Sequence, residues 1–150
     1  MKFVSPLIVV KDVNLSRAFY EQVLDQVVTL DLGDNLSMSG RLALQQNYVG
    51  LLGVGDIDIT YKPNDHELYF EEDDFDGFER RLDGVEGIEY LHRAKEYPWG
   101  QRVVRFYDPD GHIIEVGESM ECVFRRFHAQ GMSVKQVAER TQHPVEFVKQ

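Results

Sequence analysis

The sequence predicts an α+β fold made of two βαβββ modules, followed by a short helical tail. Apolar runs of strand length alternate with segments in which apolar residues recur at helical spacing. This order of elements occurs twice, on either side of an irregular stretch at 47–64 that contains three glycines and a proline. In the final residues, from 119 onward, the apolar residues recur at helical spacing only. We therefore expect a domain at 1–118 and a C-terminal helical extension at 119–150.

The first module begins with the apolar, β-branched run 3–10, which is typical of a central strand buried on both faces. Asp12 or Asn14 can cap a following amphipathic helix. Three short strands separated by turn residues are predicted next: 27–32, 36–38 and 41–46.

The second module repeats this order. A strand around Leu68 and Phe70 precedes a helix that Asp73 or Asp74 can cap. The strands predicted after this helix are 88–94, 101–107 and 113–116. Between the last two lies Asp108-Pro109-Asp110-Gly111, which is a strong turn sequence.

Composition limits the classes of function. A chain of 150 residues that is 43% hydrophobic can form one globular core. A net charge of −10 disfavours binding to nucleic acid or to anionic membranes, so neither partner is expected. Cys122 is the single cysteine and no secretory signal is evident, which together favour the cytoplasm.

The tail contains residues that are typical of helix starts. Ser133 and Gln136 form a capping box, and Pro144 lies where a further helix begins. The tail carries a net charge of +2 and the rest of the chain −12, so DNA binding is disfavoured although the spacing resembles a helix-turn-helix. We expect its apolar face to pack on the domain or on a dimer partner.

Several motifs occur together in this order. Val9-Val10-Lys11-Asp12 precedes Arg17-Ala18-Phe19-Tyr20, and Trp99-Gly100 precedes the Asp108–Gly111 turn and Glu115. Over residues 3–118 the chain resembles the glyoxalase, bleomycin-resistance and extradiol-dioxygenase superfamily, also called vicinal oxygen chelate proteins. The resemblance implies an eight-stranded cup, usually dimeric, that holds a small molecule or a metal ion.

The resemblance also implies four metal-contact positions inside the cup. Ser5 occupies the first, where a histidine is common, and serine is a poor ligand. Gln45 or Ala43 falls at the second position, Glu67 at the third and Glu115 at the fourth. Oxygen ligands of this kind favour hard ions such as Mg or Mn, and Ni or Zn remain open.

Two interpretations of this site follow. In the first, Glu67, Glu115 and Gln45 hold a divalent metal, and Glu115 or Glu67 transfers a proton in a lyase or isomerase of lactoylglutathione lyase type. This interpretation is the preferred one, because paired carboxylates are costly to keep in a pocket.

In the second, the cup is a metal-free, bleomycin-resistance-like binding site. A symmetric hairpin around residues 108–112 would place Arg105 opposite Glu115 and Tyr107 opposite Ile113, and a guanidinium there disfavours a metal. Both interpretations predict a small-molecule ligand and a homodimer. The pocket residues expected in addition to the carboxylates are Ser5, Tyr69, Trp99, Arg102, Arg105 and Tyr107.

The remaining chemistry-bearing residues give weaker signals. The five histidines show no metal-ligand spacing, so they are expected to be mostly solvated, with His112 at the hairpin rim. Cys122 is expected to be a small buried group rather than a nucleophile.

Overall fold

The computed structural model describes residues 1–149. It contains two successive βαβββ modules and then three helices, so the predicted α+β fold is confirmed. The chain forms two compact units. The first comprises 1–65 and 108–112, and the second comprises 66–107 and the described chain from 113 onward.

The first unit contains a four-stranded mixed sheet in the order β1-β4-β3-β2. Strand β1 is parallel to β4, and the other pairs are antiparallel. The elements are β1 (Leu7–Val9), α1 (Val13–Val23), β2 (Val28–Asp31), β3 (Asn35–Met38), β4 (Leu42–Gln45) and the short helix α2 (Tyr48–Leu52).

Two predictions for this unit need correction. The run 3–10 is not a central strand, because only Leu7–Val9 pairs and β1 lies at the end of the strand order. Pro6 has no N–H to donate, and its carbonyl oxygen accepts from the Ala43 N–H at 3.1 Å. The stretch 47–64 is not wholly irregular, because it contains α2.

Helix α1 is joined to the turn at 108–112 by buried hydrogen bonds. Asp12, one of the two predicted candidates, caps α1 by accepting from the Asn14 and Leu15 N–H groups. The Tyr20 hydroxyl donates to the Asp108 carboxylate at 2.9 Å. Burial and the negative charge of Asp108 raise the pKa of Tyr20 well above its usual value.

The same carboxylate of Asp108 organises the turn itself. It accepts from the Asp110 and His112 N–H groups and lies 2.8 Å from His112 Nδ1. His112, which was expected at the hairpin rim, is therefore buried, unlike the solvated position expected for most of the histidines. Gly111 has φ 87°, and a Cβ there would lie 2.5 Å from the Lys62 Cγ, so this turn requires glycine.

The second unit contains a four-stranded mixed sheet in the order β5-β8-β7-β6. Helix α3 is capped by Asp74 and packs on one face of this sheet, where the Phe78 and Phe106 rings are 6.3 Å apart. The elements are β5 (Leu68–Glu72), α3 (Phe75–Asp83), β6 (Tyr90–Glu96), β7 (Arg102–Tyr107) and β8 (Ile113–Glu118).

The tail forms three helices within the second unit: α4 (Met120–Ala129), α5 (Val134–Thr141) and α6 (Val145–Val148). The predicted Ser133–Gln136 capping box is present. The helices share one apolar cluster, made of Val123, Phe124, Phe127, Val137, Ala138 and Val148. In the part of the chain that the structure describes, no helix has the length and apolar character needed to cross a membrane.

We expect Tyr20→Phe to lower the free energy of unfolding by about 1–3 kcal/mol, because the substitution leaves the buried Asp108 carboxylate without one donor. Urea unfolding followed by circular dichroism measures this loss. Tyr61→Phe, which keeps the ring beside Lys11, is the control in the same unit. Equal stability of the two variants would contradict the prediction.

Candidate functional site

The candidate site lies on the face of the second sheet that is turned away from α3. Residues alternate between the two faces of a strand, and Phe106 faces α3. Arg105 and Tyr107 therefore project from the opposite face. The register places Arg105 opposite Glu115 and Tyr107 opposite Ile113, as the symmetric hairpin predicts, and Tyr69 pairs with Glu115 from the other side.

A single guanidinium connects four side chains on this face. Arg105 Nε donates to Glu67 Oε2 at 2.8 Å, and Nη2 donates to Glu115. Its Nη1 donates to the Tyr97 hydroxyl at 2.6 Å and lies 3.1 Å from His92 Nε2. His92 Nδ1 lies 2.8 Å from the Arg93 carbonyl oxygen, so the neutral tautomer with a proton on Nδ1 satisfies both contacts. We call these five residues the Arg105 cluster.

The two carboxyl groups of the Arg105 cluster have opposite pKa shifts. Burial raises the pKa of Glu115 to about 7, helped by the neighbouring Glu67 carboxylate and opposed by Arg105. The hydrogen bond from Arg105 lowers the pKa of Glu67. Glu115 is therefore partly protonated near neutrality, while Glu67 is the ionised partner of the guanidinium.

An aromatic turn adjoins the Arg105 cluster. The Tyr97 and Trp99 rings are stacked, with centroids 4.7 Å apart. Trp99 Nε1 donates to Gln101 Oε1 at 3.0 Å, and Gln101 Nε2 donates to the Tyr69 hydroxyl at 2.9 Å. Burial and the hydrogen bond to Glu71 raise the pKa of Tyr69 to about 12, so this hydroxyl stays neutral.

The predicted metal ligands do not fit a metal ion as they are arranged. Glu67 and Glu115 are both bonded to the Arg105 guanidinium. Gln45 belongs to the first unit, where it is buried and its amide oxygen accepts from Asn35 at 2.9 Å. Among residues 1–149, no group of three or more His, Cys, Asp or Glu side chains is placed to hold an ion. A metal would have to displace a cation that the chain itself supplies.

Two further predicted pocket residues make contacts of their own. Ser5 lines a cavity of about 390 Å³ in the first unit, together with Lys2 and Arg41. Arg102 binds Glu118 and Asp76, and its guanidinium lies 5.0 Å from the Phe75 ring of α3. Arg102 is three residues from Arg105 and therefore projects from the α3 face of the sheet.

His92 was not among the predicted site residues, because most of the histidines were expected to be solvated. Two register irregularities in the β6–β7 pairing, at 90–92 and 92–95, bring His92 opposite Arg105. Counting alternate side chains along β6 from Tyr90 does not reveal these shifts in register. Cys122 is half-buried, with its Sγ 3.0 Å from Arg125 Nη2, and so is less enclosed than predicted.

Comparison with known proteins identifies a family for most of the chain. The family model for the glyoxalase-like domain matches residues 3–121. A solved structure of a protein of unknown function from Agrobacterium tumefaciens strain C58 is 34% identical, with a TM-score of 0.70, and the match covers 79% of this chain and 94% of that one.

More distant solved structures share the fold. A lactoylglutathione lyase from Agrobacterium tumefaciens is 24% identical, with a TM-score of 0.58, over 79% of this chain and 94% of that one. A fosfomycin resistance protein from Listeria monocytogenes is 17% identical, with a TM-score of 0.60, over 79% and 93% of the two chains. No curated protein matches this chain.

The raised pKa of Glu115 predicts a pH dependence of stability. Between about pH 4.5 and about pH 7 the folded protein holds a proton on Glu115 that the unfolded chain releases. Lowering the pH across this window therefore raises the free energy of unfolding. The lowered pKa of Glu67 acts in the opposite direction, but only at more acidic pH.

We expect this stabilisation on acidification to be reduced in Glu115→Gln, which cannot titrate, and retained in Glu86→Gln, which changes an exposed loop carboxylate. Urea unfolding of each variant at a series of pH values measures it. Parallel curves for the parent and Glu115→Gln would show that Glu115 is already ionised throughout the window.

Proposed function

The chain belongs to the glyoxalase-like domain family, and on that premise we propose that it is a metal-independent binding protein for small aromatic molecules. The observation that carries the proposal is the Arg105 guanidinium, which is bonded to both carboxylates of the expected metal site. A chain-borne cation in that place leaves a face suited to recognition rather than to metal chemistry.

The ligand class follows from the groups that remain accessible. The stacked Tyr97 and Trp99 rings offer a planar aromatic surface. Near them Glu67 and Tyr69 are exposed, and Arg105 is already engaged by carboxylates. This balance of charge favours an aromatic ligand with a cationic or hydrogen-bond-donating group over an anionic one.

Metal content tests the first half of the proposal. We expect tag-free protein to contain no stoichiometric metal after incubation with Mn, Mg, Ni or Zn and gel filtration, measured by plasma mass spectrometry. Arg105→Met frees Glu67, Glu115 and His92, and we expect this variant to take up about one equivalent. One equivalent in the parent, lost in Glu67→Ala and Glu115→Ala, would overturn the proposal.

Ligand titration tests the second half. Trp99 is the single tryptophan, so its fluorescence reports on the aromatic turn. We expect naphthylmethylamine to change this fluorescence with an apparent Kd several-fold lower than that of naphthoic acid, because the two ligands differ mainly in charge. A chelator should have no effect, and Tyr97→Leu should weaken binding of both ligands. Tighter binding of the acid would contradict the charge argument.

A second candidate is a lyase or isomerase of the lactoylglutathione lyase type. The observation that favours it is Glu115, a buried carboxyl with a pKa of about 7, which suits proton transfer near neutrality. Turnover of the methylglyoxal–glutathione hemithioacetal, abolished in Glu115→Gln, would support this candidate. The homodimer and the cytoplasmic location stay predictions under both candidates.

A further inference from the structure

The turn between β6 and β7 carries the stacked rings of the candidate site. Its backbone is closed by two hydrogen bonds, from the Gly100 N–H to the Tyr97 carbonyl oxygen at 2.8 Å and from the Tyr97 N–H to the Gln101 carbonyl oxygen at 2.9 Å. Pro98 and Trp99 lie between these anchors. The carbonyl groups of Pro98 and Gly100 accept from outside the turn, and both donors come from the tail.

Helix α4 supplies the first donor. Arg126 Nη2 donates to the Gly100 carbonyl oxygen at 2.6 Å, and the same nitrogen donates to the buried Glu118 carboxylate at 2.9 Å. Arg126 Nη1 lies 3.4 Å from Glu96, at the end of β6. One side chain of the tail is therefore bonded to β6, to β8 and to the turn itself.

Helix α5 supplies the second donor. Arg140 Nη1 donates to the Pro98 carbonyl oxygen, and its Nη2 lies 3.6 Å from Glu96. The guanidinium carbons of Arg126 and Arg140 lie 5.0 Å and 5.9 Å from the centroid of the Phe127 ring. Both cations that bind the turn therefore lie near one aromatic side chain of α4.

Phe127 also contacts the turn directly. A Cβ at position 100 would lie 2.2 Å from Phe127 Cζ, and Gly100 has φ 87°. Glycine is therefore required at position 100 both by the backbone conformation and by the packed ring. Phe127 is itself buried in the apolar cluster of the tail, so the helices meet the turn as one packed body.

We propose that the C-terminal helices position the aromatic turn of the candidate site, with Arg126 and Arg140 as positioning residues for Tyr97 and Trp99. The family model ends at residue 121, so most of the tail lies beyond the part of the chain that defines the family. The consequence for ligand binding rests on the proposed function. The positioning of Trp99 does not, because it is measurable without a ligand.

Acrylamide quenching of Trp99 fluorescence tests the proposal in the full chain. In Arg140→Gln and in the double variant Arg126→Met/Arg140→Gln, we expect the quenching constant to rise about two-fold or more, because a released turn samples open conformations. Arg140→Lys keeps a donor near the Pro98 carbonyl oxygen and should restore most of the parent value. Arg125→Gln on α4 and Lys135→Gln on α5 are controls that remove a charge without touching the turn.

Each variant is first checked for a parent-like circular dichroism spectrum and cooperative unfolding. Should the double variant fail to fold, the surface substitution Arg140→Gln and its lysine rescue decide the question. Unchanged quenching and unchanged Trp99 anisotropy in folded Arg140→Gln would overturn the proposal. Increased quenching without any naphthyl ligand binding to the parent would support positioning and contradict the proposed function instead. Parent-like ligand affinity with increased quenching would show that the tail holds the turn but does not shape the site, which overturns the inference.

Discussion

The arrangement of the second unit depends on neutralising the charge of one arginine in the middle of its sheet. Arg105 lies in β7, between β6 and β8, and its side chain is largely enclosed. A charge held there costs several kcal/mol unless oxygen and nitrogen acceptors surround it. Neighbouring parts of the second unit supply four acceptors: Glu115 from β8, Glu67 immediately before β5, His92 from β6 and Tyr97 from the turn after β6. Shifting any of these strands by one residue would move its acceptor to the other face of the sheet.

Alternation along β7 places Arg105 and Arg102 in separate sets of contacts on opposite faces of the sheet. Arg105 lies on the open face, whereas Arg102 lies on the α3 face with Glu118, which also binds Arg126 of the tail. The second cluster therefore ties helix α4 to the sheet. The first remains beside the aromatic turn, where a ligand could reach it. The tail is thus attached to the sheet through Glu118 and also contacts the aromatic turn through Arg126 and Arg140.

The sequence predicted what local chemistry determines. Ser133 caps its helix as predicted, Asp12 and Asp74 are each one of the two predicted candidates, and the Asp108–Gly111 turn sets the register that pairs Arg105 with Glu115. The place of His92 could not be predicted, because it depends on two irregularities in a strand pairing. The edge position of β1 could not be predicted either, since an apolar run does not show which strand it pairs with. Arg102 is different, because its three-residue separation from Arg105 in one strand is enough to predict that the two side chains lie on opposite faces.

A guanidinium and a divalent metal ion differ in what they offer to a ligand. A metal ion can keep an open coordination position and polarise a substrate oxygen. Arg105 has no such position, and its N–H groups are directed at Glu67, Glu115, His92 and Tyr97. A ligand on this face therefore meets the outer oxygens of the carboxylates and the Tyr97–Trp99 stack, rather than an electrophilic cation. If Arg105 performs only this structural task, then the specificity of the site is set by the geometry of the aromatic turn, and that geometry is fixed by Arg126, Phe127 and Arg140 of the tail.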